Sequence, residues 1–186
     1  MFINENARTL TIKMAENAGF DHAGYAEIEK MEFLPSIREM CEINKCGNYN
    51  TNWSCPPACG TLEEVTERVK GYNYAMILQA TEKMEDDYDW DAIQKAQKRC
   101  RDSLAILARQ LRSMNKTVLA MGAGGCNKCK TAGCTYPNSP CRFPEELNYS
   151  MEACGLFVSK ECEKAGMNYY YGPQTMTINA TIFVKE

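Results

Sequence analysis

Residues 89–121 read DWDAIQKAQKRCRDSLAILARQLRSMNKTVLAM. Ile93, Ala96, Cys100, Leu104, Leu107 and Leu111 recur at steps of three and four, the apolar stripe of an amphipathic helix over Asp89 to Met114. Thr117 to Met121 follows as a short strand, and that strand runs straight into a cysteine-dense stretch, CNKCKTAGCTYPNSPC at 126–141. A long helix feeding a strand that presents a loop is the signature of a layered helix-and-sheet fold.

The same alternation continues on both sides. Towards the N-terminus, Asn73 to Thr81 (NYAMILQAT) reads as a buried strand. Thr61 followed by Glu64 is a capping-box pair and predicts a helix start. Phe33 to Cys41 suits a short helix, and His22 to Ile28 a strand. Glu5 to Ala18 places Ala7, Leu10, Met14 and Ala18 on one helical face and stops at Gly19. Towards the C-terminus, Ser150 is placed to cap a helix to about Ala165, closed by Gly166. Tyr169, Tyr170 and Tyr171 read as strand residues before a Gly172–Pro173 turn, and Asn179 to Lys185 as a final strand. The expectation is α/β (or α+β), one compact domain over 1–186, a mixed sheet flanked by helices; 186 residues suffice for one good core and hardly for two.

Charge is nearly balanced, 21 basic against 24 acidic residues, so there is no electrostatic case for nucleic acid or an anionic membrane. Apolar runs such as Tyr74 to Leu78 and Leu104 to Ala108 are far too short for a membrane span. The start MFINENARTL has neither the basic stretch nor the apolar core of a secretory signal, which predicts a cytoplasmic location. Thiols stay reduced there, so eleven cysteines point to metal before disulfides, and an odd number also suits disulfides poorly.

Eight of those cysteines form two sets of four. Cys41, Cys46, Cys55 and Cys59 are spaced x4, x8 and x3; Cys126, Cys129, Cys134 and Cys141 are spaced x2, x4 and x6. Four thiolates complete one metal or cluster site, and short spacing closes a loop at low entropic cost. Gly124, Gly125 and Gly133 permit the sharp turns such wrapping needs. Cys59 lies just before the helix begun by Thr61, whose N-terminal partial charge would lower a thiol pKa.

Iron–sulfur clusters and zinc compete for these sites. Zinc sites usually carry two Cys-x2-Cys knuckles or mix cysteine with histidine. Here Cys126 and Cys129 make the single knuckle, and the single histidine, His22, stands apart. Cys55–Pro56 resembles a ferredoxin element, although neither ferredoxin spacing is present. A radical-SAM triad fails at Leu62, and MGAGGC fails as a dinucleotide loop at Asn127. Cys100, Cys154 and Cys162 are most simply core residues, the last two eight apart on the later helix. Tyr49 and Trp53 could shield a cluster from water, and Arg142 could bind an anion or balance cluster charge.

The runs NYNTNWSCPPACGTLEE, CNKCKTAGCTYPNSPCRFPEE and SMEACG resemble those of the DUF2284 family, small predicted metal-binding proteins of anaerobic bacteria and archaea, over about positions 30 to 170. On that resemblance Cys41, Cys46 and Cys55 with Pro56 and Pro57 match a first motif. Cys126, Cys129, Cys134 and Cys141 with Arg142 and Pro144 match a second, and Ser150, Met151 and Glu152 a third. Asn50 stands where the family has glycine, and asparagine tolerates the same left-handed turn; Cys59 belongs to a subset of the pattern. The resemblance implies metal binding and supplies no reaction.

Three readings follow. One is an iron–sulfur protein with two 4Fe-4S clusters on the eight cysteines, exchanging electrons with a redox partner protein. Another is a zinc-stabilised interaction module. The third is an enzyme whose cluster keeps an open iron, with Cys59 the cysteine that does not ligate. No acid/base pair or nucleophile constellation marks a hydrolytic site.

Overall fold

The computed structural model describes residues 5–129 and 131–186, with side chains described from residue 8 onward. Five strands form one sheet in the order β1-β2-β5-β3-β4. These are β1 His22–Ala26, β2 Tyr74–Lys83, β3 Thr117–Gly122, β4 Asn148–Ser150 and β5 Thr175–Lys185. β3 and β4 run parallel and every other pair antiparallel, so the sheet is mixed. β2 is buried from Tyr74 to Ala80, which its apolar run Tyr74 to Leu78 predicts for a strand covered on both faces.

One face is covered by α1 (Glu5–Ala18) and α4 (Trp90–Ser113). Leu104, Leu107 and Leu111 of α4 pack there against Met76, Leu78, Ile182 and Val184. The other face receives α3 (Leu62–Lys70) and α5 (Val158–Lys164). Val65, Val69, Met151, Leu156 and the fully buried Phe183 close that core. Each such large side chain contributes roughly 1.5–3 kcal/mol by leaving water. A short helix α2 (Pro35–Glu39) precedes the first cysteine loop.

α4 matches its periodicity closely, with the Asp89 carboxylate accepting the Ala92 N–H at 2.9 Å as its cap. The Thr61–Glu64 capping box forms in both directions. Three expectations need correction. Among the described residues of α1 those buried are Thr11, Ala15 and Ala18, while Leu10 is exposed; the Ala7 side chain lies outside the described residues. Small side chains let this helix end close on α4, where a Cβ at Gly19 would stand 2.7 Å from Ser103 Oγ. Ser150 does not open a long helix but ends β4, and Cys154 precedes α5. Tyr169 to Tyr171 are irregular, and β5 begins at Thr175, four residues earlier than expected. Among the described residues no helix is long and apolar enough to cross a membrane.

Candidate metal centre

The first cysteine loop joins α2 to α3, and asparagine side chains replace a backbone ladder within it. Asn44 Oδ1 accepts the Tyr49 N–H at 3.0 Å, and Asn52 Oδ1 accepts both the N–H and the hydroxyl of Ser54, at 3.0 and 2.6 Å. Asn44 and Asn50 take left-handed backbone, φ 53° and 57°. Asn50 thus makes the turn for which glycine would otherwise serve, and its N–H reaches Pro56 O at 2.8 Å.

The second loop leaves the end of β3 and returns through a 3-10 turn, Pro144–Glu146, to β4. Gly124 and Gly133 adopt φ 76° and 73°. Thr135 Oγ1 donates to Pro140 O at 2.9 Å, and Arg142 donates to Gly133 O at 2.7 Å. The Arg142 guanidinium therefore closes its own loop.

The two loops touch. Ser54, fully buried, accepts the Cys126 N–H on its hydroxyl at 2.6 Å, while its carbonyl accepts the Ser150 N–H at 3.3 Å. Tyr136 OH donates to Asn50 Oδ1 at 2.5 Å, and the Tyr136 ring stands edge-on to Trp53 with centroids 5.0 Å apart. A Cβ on Gly125 would lie 3.2 Å from Cys55 Sγ, so the glycine backbone of the second loop rests against a thiol of the first.

Cys126, Cys129, Cys134 and Cys141 all line one cavity of about 260 Å³, together with Trp53, Phe143 and Leu147. The indole N–H of Trp53 is buried without a partner among the described residues. Trp53 belongs to the first loop by sequence, yet it walls the thiols of the second. A multi-atom anionic group carrying sulfur acceptors fits this lining: four thiols, an unpaired donor and apolar sides. Among the described residues no three of His, Cys, Asp or Glu converge tightly enough to surround a single ion.

In the first loop Cys55 and Cys59 are buried, Cys41 is half-buried and Cys46 is exposed. Burial, then the neighbouring charges of Cys55, Glu152, Cys46 and Cys59, pushes the Cys41 thiol up to about 11. Burial likewise raises Cys55, against hydrogen bonds from Ser54 and Asn52. Cys59 corrects an expectation. Its thiol is raised, because burial outweighs the Arg38 and Arg68 guanidiniums beside it, whatever the adjacent helix N-terminus offers. The Cys59 thiol lies 3.6 Å from Ala153 O and faces the Cys154 region behind it.

The remaining cysteines are in the core. Cys100 lies on the buried face of α4 with its thiol pushed by burial to about 12. Cys154 is fully buried with its thiol raised by burial. Cys162 sits in a polar knot that sequence reading missed: Gln79 Nε2 lies 3.5 Å from its sulfur and donates to Asn179 Oδ1 at 3.0 Å. Tyr171 OH closes that knot on Gln79 Oε1 at 2.7 Å, and its ring stacks on His22 at 4.2 Å. Ser54 was also missed. A lone serine before Cys-Pro-Pro carries no signal that it will be the joint between two loops.

The family model described as "Predicted metal-binding protein (DUF2284)" matches residues 26–184. No curated protein and no solved structure matches the chain.

Proposed function

Because the chain belongs to the DUF2284 family of predicted metal-binding proteins, we propose that it is an iron–sulfur electron carrier in a reducing, cytoplasmic setting. Cys126, Cys129, Cys134 and Cys141 would hold one 4Fe-4S cluster, and Cys41, Cys46, Cys55 and Cys59 a second. The observation that supports this reading most is the cavity of about 260 Å³ lined by all four thiols of the second loop. Its size suits a multi-atom cluster better than a single zinc ion, whose four ligands close directly on the metal.

Such clusters supply one-electron exchange with a partner protein. The chain's own residues hold and insulate. Trp53 and Phe143 put aromatic surface beside the second set of thiols. Arg38 and Arg68 place positive charge beside Cys59, which offsets anionic charge on the first set. Ser54 and Gly125 hold the two loops against each other, a short separation for electron exchange between them.

Protein purified without oxygen and assayed for iron, acid-labile sulfide and zinc tests the proposal. About eight iron and eight sulfide per chain are expected for two cubanes. A colourless protein with about two zinc would sink the electron-carrier reading and leave the interaction module.

A further inference from the structure

The exposed face of α4 carries Lys98, Arg101, Arg109 and Arg112 at helical spacing, with the small Ala105 between them. Together with Lys128 of the second cysteine loop these cations line a groove of about 440 Å³. Two carboxylates lie in the same groove, and both are engaged: Asp102 with Lys98 at 2.5 Å, and Glu146 with Lys128. The Lys128 hydrogen bond holds the Glu146 carboxyl below the usual range against the opposing effect of burial, and the charges of Lys128, Arg109 and Arg112 add to it. Arg101 and Arg109 have no ion pair or hydrogen bond among the described residues, and Arg112 has only a long contact to Val118 O at 3.4 Å.

Like charges three and four apart on one helix repel. This chain has a net charge of −3, yet here five cations face two carboxylates in one concavity. Guanidinium groups match carboxylate and phosphate oxygens in pairs. The volume falls within the range of small-molecule sites, roughly 300–1,000 Å³. Asn127 and Asn148 add amide groups along one wall. Cys126, Asn127 and Lys128 line both this groove and the thiol-lined cavity, so the two share a wall.

We propose that this groove binds a small dianion, a dicarboxylate or a phosphate ester, held by Arg101 and Arg109 with Arg112 and Lys98 at its ends. One end of the bound molecule would then lie beside Cys126. The site stands on the cations of α4 and is independent of which metal the cysteines hold.

Calorimetric titration of the isolated protein at low salt tests it, with succinate and glycerol phosphate as the two small probes and poly-L-glutamate as a third. Saturable one-to-one binding of either small probe is expected, and which one binds separates a dicarboxylate from a phosphate source. Arg101→Gln and Arg109→Gln should each weaken that binding about tenfold or more, and the double variant should abolish it while melting as the parent does. Lys70→Gln, away from the groove, should bind as the parent. No saturable binding of either small probe, unchanged affinity in the double variant, or binding of poly-L-glutamate alone would each overturn the proposal.

Discussion

A few side chains decide how closely the two cysteine loops approach, and Gly125 is the clearest of them. A methyl group there would stand 3.2 Å from Cys55 Sγ and 3.3 Å from Asn48, tighter than packed atoms comfortably sit. Gly125→Ala should therefore cost about 1–3 kcal/mol through overpacking, read as a melting temperature lower by at least about 2 °C, with less metal retained per chain. A thermal scan and elemental analysis of the variant check this; an unchanged melt with full metal would mean that the loops have slack at this point. The cysteine spacing was open to sequence reading because it is local. The contact between Cys55 and Gly125 was not, since it joins positions seventy residues apart.

At the level of elements, α3 depends on the reciprocal bonds between Thr61 and Glu64, at 3.2 and 2.7 Å. Thr61→Ala removes one of them and should lower stability by about 1 kcal/mol, seen as an earlier urea midpoint with an unchanged slope. α4, with strong periodicity and a cap, could be read from sequence almost to the residue, and α3 at its start. The stretch from Ser150 could not. Its N-cap signal is locally real, for Ser150 Oγ accepts the Ala153 N–H at 3.3 Å and its carbonyl accepts the Cys154 N–H at 3.0 Å. The turn dies at Gly155, which adopts φ 79° where a side chain would strike Leu62 and the Leu34 backbone. A left-handed glycine thus ended, after one turn, a helix that Ser150 had begun. β4, three residues long, offered too little pattern to be seen.

For the whole molecule, Arg99 ties α4 to the sheet. It pairs with Asp21 at 2.7 Å and Glu82 at 2.9 Å and donates to Thr81 O and Gly19 O. Burial pushes the Asp21 carboxyl up, but the Arg99 and Thr81 hydrogen bonds and the Arg99 charge together carry it below the usual aspartate value. A carboxyl depressed in the folded state stabilises above its unfolded pKa, about 3.9, and that stabilisation is lost as pH falls through the folded value. Asp21→Asn should accordingly melt lower than the parent at pH 7, and the gap should narrow as the pH drops below about 4. A gap that stays constant across that range would remove Asp21 from the linkage.

The sheet order carries a consequence for how the molecule comes into being. β5, the last strand of the chain, occupies the middle of the sheet, with β2 on one side and β3 on the other. Its register pairs Tyr74 with Val184 and Thr117 with Lys185, partners separated by long stretches of chain. Long-range pairing of this kind is slow to form. Until β5 has been made and paired, β2 and β3 lack their shared neighbour, and both cysteine loops, made earlier, stand on an unfinished platform. The two cysteine loops therefore take up their mutual positions late, once β5 has slotted between β2 and β3.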